Sequence, residues 1–282
     1  TDRGRNWYLE GSLNYDRKFG KHQVGALILY NQWRDQYPDP AQFDYVSIPR
    51  GYVGLVGRAT YNFDNRYMVD FNVGYNGSEN FAPGHRYGIF PAFSAGWILS
   101  EEKFMKNQTI FDQLKLRAGF GIVGNQNIDD FAYLSLYNVS YTGTSDTGYT
   151  NSFVSNGRRG TPDISWEKQK QWNLGVDMAF LQNRVRLSVD AFLIKNKDLL
   201  MSHSLPTTTG FSSTIENIGA IENKGLEFAL NANLVRAKDF EWNFAATLSM
   251  DKNKVTQLYG DNDVVYNCLL YTSPSPRDMR RS

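Results

Sequence analysis

The sequence predicts an all-β fold: an antiparallel up-and-down transmembrane β-barrel, present as an incomplete segment of about ten strands. Three observations carry that prediction. Side-chain polarity alternates with period 2 over long runs, the runs are long enough to cross a bilayer, and the connections between them alternate in length.

The alternation is plainest in 66–76. There Tyr67, Val69, Phe71, Val73 and Tyr75 are apolar and Arg66, Asp70, Asn72 and Asn76 polar, with Met68 and Gly74 as exceptions. Successive side chains of an extended chain point to opposite faces, so such a run has one greasy and one wet side. The pattern returns in Trp172, Leu174, Val176, Met178 and Phe180, in Val185, Leu187, Val189, Ala191 and Leu193, in Leu226, Phe228, Leu230, Ala232 and Leu234, and in Phe240, Trp242, Phe244, Ala246, Leu248 and Met250. On this reading Val189 faces lipid and Asp190 the lumen, so Val189→Arg should be costly and Asp190→Ala should cost little.

The strands are expected at roughly 6–18, 21–31, 51–63, 66–78, 87–99, 113–123, 166–180, 184–196, 219–235 and 239–253. Most exceed the ~9–11 residues that a tilted strand needs to span a membrane. Short turns fall at Phe19-Gly20-Lys21, Asp64-Asn65, Gln182-Asn183 and 236–239, and longer stretches at 32–50, 79–86, 124–165 and 197–218. In an up-and-down barrel this parity sends the short turns to the periplasm and the long loops outside. The stretch 100–112 is the exception on the short-turn side, where Phe104, Met105, Ile110 and Phe111 suggest a small helix. Aromatic residues gather near strand ends at Trp7, Tyr8, Phe63, Tyr67, Trp97, Trp172, Phe180, Phe240 and Trp242, as rings at the headgroup level would.

Composition agrees. Tyr (17), Phe (18) and Gly (24) are abundant, and no run approaches the roughly 18 apolar residues of a membrane helix. The mean hydropathy of −0.49 does not argue for solubility, because a barrel strand needs only every second residue apolar. A net charge of +1 provides no basic field for nucleic acid. The chain opens on Thr1 without a leader, as a cut inside a larger protein would. Residues 1–267 read as barrel. Residues 268–282, from Cys268 through the Pro274 and Pro276 region, read as a non-native tail resembling a translated sequencing adapter, in which case the single Cys says nothing about redox compartment.

The stretch RGYVGLVGRATYNFDNRYMVDFNVGYNGSENFAPGHRYGIFPAFSAGWILSEE (50–102) resembles the barrel of SusC/RagA-type TonB-linked outer-membrane proteins of the Bacteroidota. LKLRAGFGIVGNQNI (114–128), PDISWEKQKQWNLGVD (162–177) and IGAIENKGLEFALN (218–231) follow in the same order, so the resemblance covers residues 1 to about 266. It implies a parent barrel of about 22 strands with a plugged lumen. The plug and the TonB-contacting segment would lie outside this chain. It further implies a location in the Gram-negative outer membrane among lipid, a SusD-like surface lipoprotein as partner, contact with the TonB complex through the N-terminal plug region, and an oligosaccharide or peptide as substrate.

No catalytic, cofactor or metal residue is expected. Gly119-Phe120-Gly121-Ile122-Val123-Gly124 matches a dinucleotide fingerprint, but no amphipathic helix follows to hold a pyrophosphate, and glycines on the inner face of a strand explain it. His22, His85 and His203 are far apart with no metal-ligand spacing. The pairs Asp129-Asp130 and Glu101-Glu102 read as solvated charge in connections, and no Gly-x-Ser-x-Gly elbow exists. Candidate ligand contacts therefore fall on the outward loops: Trp33, Tyr37, Asp35 and Asp39 in the first, Phe81, His85 and Arg86 in the second, Tyr141, Asp146, Tyr149, Arg158 and Arg159 in the longest. Such rings stack on sugar faces while charged and amide groups bond hydroxyls. A nutrient importer leads on these grounds; a passive porin or structural barrel, or a soluble carbohydrate-binding β protein, is the alternative.

Overall fold

Long alternating runs need partners on both sides to satisfy their backbone groups, and the chain supplies them in sequence order. The structure, a computed structural model, describes residues 5–36, 48–144, 150–211 and 213–258. Twelve strands are present among them: β1 (Arg5–Phe19), β2 (His22–Gln36), β3 (Arg50–Phe63), β4 (Tyr67–Ser78), β5 (Tyr87–Ile98), β6 (Gln113–Asn125), β7 (Tyr137–Thr144), β8 (Thr150–Asn156), β9 (Glu167–Phe180), β10 (Val185–Ser204), β11 (Ser213–Arg236) and β12 (Glu241–Gln257). Ten form one antiparallel sheet in the order β1-β2-β3-β4-β5-β6-β9-β10-β11-β12, and β7 pairs with β8 apart from it. The expected ten-strand meander is there. The sheet is open, with β1 and β12 as its edges, every residue of both exposed.

The register turns the alternation into two continuous surfaces. One row across the sheet reads Phe63, Tyr67, Trp97, Leu116, Val176, Val189, Phe228, Leu248. The row beside it reads Asn62, Met68, Gly96, Arg117, Gly175, Asp190, Glu227, Ser249. Cross-strand partners share a face, so the first row is greasy and the second mostly wet. None of the described residues covers the greasy face: Leu174 is 64% exposed and Leu248 57%. An apolar surface of this extent is foreign to a water-soluble monomer and fits a hydrocarbon solvent.

Turn chemistry sets the short ends. Asp64 and Asn65 both take φ of 54°, the left-handed geometry of a two-residue hairpin that Asn and Asp tolerate better than most residues. Gly20 (φ 58°) does the same between β1 and β2, and Leu181, Gln182 and Asn183 are all left-handed between β9 and β10.

Three differences from the expected layout stand out. β2 runs on to Gln36, and β10 and β11 continue to Ser204 and back from Ser213, so most of 197–218 is ladder and not loop. Beyond the membrane both faces of a strand are wet, so the polarity signal fades while the hydrogen bonds continue. Second, the long connection holds the β7–β8 hairpin. Its period-2 signal, Tyr137, Val139 and Tyr141 against Asn138, Ser140 and Thr142, was available in the sequence. Third, the small helix expected in 100–112 is a pair of one-turn 3-10 helices, Leu99–Glu101 and Lys103–Met105, which takes in Phe104 and Met105 and leaves Ile110 and Phe111 outside.

Among the described residues the buried large side chains gather at the long-loop end. Phe81, Phe90, Ala132, Ile164 and Trp166 form one cluster, with Tyr52, Ile122, Ile128 and Leu200 packed against it. Gly119 to Gly124 lie in the middle and end of β6, laddered to β9, so no helix N-terminus follows them.

Candidate functional site

The wet face is organised by charge. Arg117 on β6 donates from Nε to Asp177 Oδ2 (2.7 Å), and from Nη2 to Asp177 Oδ1 and Asp190 Oδ2 (2.9 Å each). Ser188 Oγ donates to Asp177 Oδ1 at 2.9 Å. Arg58 Nε reaches Asp70 at 3.0 Å on the neighbouring strands. Arg117 spans two strands because Gly175 lies between them. A Cβ there would stand 2.5 Å from Asp190 Oδ1 and 2.8 Å from the Arg117 guanidinium carbon. Beside this network a recess of about 530 Å³ is lined by Thr60, Asn62, Asp70, Lys115, Arg117 and Asn173, among others. Its chemistry is that of hydrogen bonding, with cations and carboxylates neutralising each other.

At the long-loop end the connections are tied down. Trp166 Nε1 donates to the carbonyl of Arg86 (2.9 Å), and Arg86 Nε donates to the carbonyl of Phe81 (3.2 Å). Arg50 pairs with Asp130 at 2.8 Å and Arg158 with Asp129 at 3.1 Å. Arg158 also donates to the carbonyls of Asp130 and Phe131 (3.2 and 3.1 Å), holding a segment in which buried Phe131 takes φ of 51°. That is an unusual conformation for a bulky residue and is sustained by the bonds around it.

The expected ligand contacts separate accordingly. Trp33 stacks on Tyr52 (centroids 6.3 Å apart, 15° between planes) and, with Arg34, Glu79 and Arg86, borders a recess of about 150 Å³. These bring two of the expected residues, Trp33 and Arg86, together. Phe81 is a correction: at 0% exposure it is core, its ring 5.3 Å from that of Trp166, and presents nothing to a ligand. Arg158 is occupied as a loop clamp, whereas Arg159 is exposed. Tyr37, Asp39, Asp146 and Tyr149, and the Tyr141 side chain, lie outside the described residues. Asp35 stands opposite Arg50 in the ladder, and the backbone of His85 closes a turn onto Ala82. Asp129 and Asp130 are ion-paired and not merely solvated. Sequence reasoning missed Trp166, whose place three residues after Asp163 in a polar stretch resembled the start of a strand.

The short-turn rim has its own network. Asp64 accepts from Lys21 (2.9 Å) and Arg66 (2.7 Å), and these bonds, Lys21 first, hold its carboxyl below the ordinary value. Glu102 accepts from the Tyr67 hydroxyl and from Trp97 Nε1 (3.2 Å), which lower its pKa in the same sense.

An open antiparallel sheet with one hydrocarbon face, one charged face, short turns at one end and folded loops at the other is a section of an outer-membrane barrel wall. The chain belongs to the TonB dependent receptor-like, beta-barrel family, whose model matches residues 1–277. Among curated proteins it is 38% identical over 220 residues to TonB-dependent receptor SusC of Bacteroides thetaiotaomicron, covering 76% of this chain and 22% of that protein. It is 34% identical to TonB-dependent receptor P3 of Formosa agariphila, covering 92% of this chain and 28% of that protein. The chain thus spans less than a third of either relative. In fold it is similar to a chain of the RagAB peptide importer in its closed-closed state (TM-score 0.79, 22% identity, 94% of this chain and 32% of that one). It is also similar to the siderophore receptor PirA from Pseudomonas aeruginosa (TM-score 0.56, 15% identity, 90% and 44%). By name these relatives are receptors and an importer, and this chain, as a member of the TonB dependent receptor barrel family, is an outer-membrane protein.

Proposed function

We propose that the chain is part of the wall of a TonB-dependent nutrient importer that takes up oligosaccharides, or peptides, together with a SusD-like lipoprotein. The observation that carries the reading is the pairing of adjacent rows, one apolar and one mostly polar, across eight successive strands of the sheet. Such a wall excludes lipid from one side and lines an aqueous lumen on the other. The parent's plug, outside this chain, would fill that lumen and be displaced by TonB. Nutrient would first be held at the long-loop end, where Trp33 offers a ring face and Arg34, Glu79 and Arg86 offer hydrogen-bonding charge. The short turns would face the periplasm.

Deletion of the parent gene, tested for growth on single glycans and on peptides, addresses substrate class. Loss of uptake of one nutrient that is also lost on removing TonB or the SusD-like partner supports the reading. Uptake that survives without TonB indicates a passive pore instead.

A further inference from the structure

Between β5 and β6 the chain takes fourteen residues, 99–112, where the other connections at this rim take two to four. Both ends of the segment are fastened to the apolar face. Glu102 is held by Tyr67 and Trp97, whose rings stack (6.2 Å, 18°) in the greasy row. Phe111 packs on Phe180, centroids 5.2 Å apart, and Phe180 lies on the same face as Val176. The segment is therefore bound along the lipid side of the rim.

What it presents there is apolar. Phe104 is 68% and Ile110 67% exposed, and Leu181 on the adjacent turn is 70% exposed. Ile110 is held in place: the Gln108 carboxamide oxygen accepts from the backbone N–H of Ile110 and of Phe111, and its nitrogen donates to the Phe111 carbonyl, all at 2.8 Å. Lys103 and Lys106 flank Phe104 and are exposed. Glu102 is already engaged, so that the exposed charges of the segment are Lys103 and Lys106 with the single carboxylate Glu101, a net positive face for an anion.

We propose that residues 99–111 form an interfacial anchor. Phe104 and Ile110 enter the boundary between headgroups and acyl chains of the leaflet at the short-turn rim, and Lys103 and Lys106 extend to the phosphates of the same phospholipids. Two features favour lipid as the occupant. The patch continues the face that hydrocarbon already covers in an outer-membrane barrel, and aromatic or aliphatic residues flanked by lysines are the composition that binds at such a boundary. The proposal requires only that the chain sit in the outer membrane, and so stands apart from the transport reading.

The test uses the full-length parent with other cysteines removed, in nanodiscs of phosphatidylethanolamine and phosphatidylglycerol. A nitroxide is attached at Phe104→Cys, Ile110→Cys or, as a reference on the β11–β12 turn, Asp239→Cys. Collision with oxygen, which concentrates in lipid, should exceed collision with a water-soluble nickel chelate at 104 and 110, and the order should reverse at 239. Nickel-dominated collision at 104 and 110 would place the segment in water, and low collision with both reagents would place it under protein. Either result overturns the anchor. Lys103→Gln and Lys106→Gln should each lower retained phosphatidylglycerol, read by native mass spectrometry, by about fivefold; unchanged retention overturns the headgroup contact.

Discussion

With no side chain at Gly175, the guanidinium of Arg117 crosses β9 and bonds carboxylates on two strands. This changes what Asp190 is worth. The alternation alone makes it an exchangeable lumen residue, but Asp190→Ala removes one charge-assisted bond and should cost about 1–2 kcal/mol. Val189→Arg, one residue away on the hydrocarbon face, should cost about 2–4 kcal/mol if it lies near the midplane. Unfolding of the full-length protein from vesicles measures both; equal tolerance at the two positions would contradict the assigned faces. Gly175→Val should separate Arg117 from Asp190, so that adding Asp190→Ala to it costs little more. Phe81→Ala opens the loop cluster, with a loss of about 3–5 kcal/mol of local stability. Faster proteolysis within residues 126–166 in that variant would report it.

The connections are where elements differ most from what periodicity shows. Asp64 is the clearest case, because its turn also carries charge. The folded carboxyls of Asp64 and Glu102 titrate below their ordinary values, so the unfolded chain binds protons first as pH falls. Their stabilisation is complete above the ordinary carboxylate range of about 4 and is lost as pH drops through the lowered folded values. Asp64→Asn should therefore flatten the acid limb of the stability profile and leave the profile near neutrality parallel to that of the native protein. Denaturant midpoints collected from neutral pH down to about pH 3 would show it. At the opposite end, the β10–β11 extension is held by Asn217, whose side-chain nitrogen donates to the carbonyls of Ser165 (3.0 Å) and Asp198 (2.7 Å). Such bonds join strand ends to the long connection and give the rim its shape.

For the whole molecule the decisive fact is an open sheet. Among the described residues β1 and β12 each pair on one side only, and none of them lies over the greasy face. Free strand edges and bare apolar surface are a template for association. Expressed alone, the chain should aggregate; a soluble monomer with a cooperative melt, seen by sedimentation and calorimetry, would contradict the barrel-wall assignment. Inside the parent, neighbouring strands would cover those edges and lipid the face.

The strand sequence, the facing of Val189 and Asp190 and the short turns were legible in the amino acids, because burial against lipid on one side imposes a period that local order alone reveals. The ten-strand meander follows from it, since consecutive antiparallel strands joined by short turns have little choice of neighbour. The sequence did not determine how Phe81, Phe90, Ile164 and Trp166 meet, that Arg158 holds Asp129, or that Trp33 and Arg86 border one recess. These residues are brought together from strand ends, as with Trp33 and Phe90, and from distant connections at the long-loop rim. No periodic solvent acts on them there, and only the folded arrangement of the loops decides which partners each side chain meets.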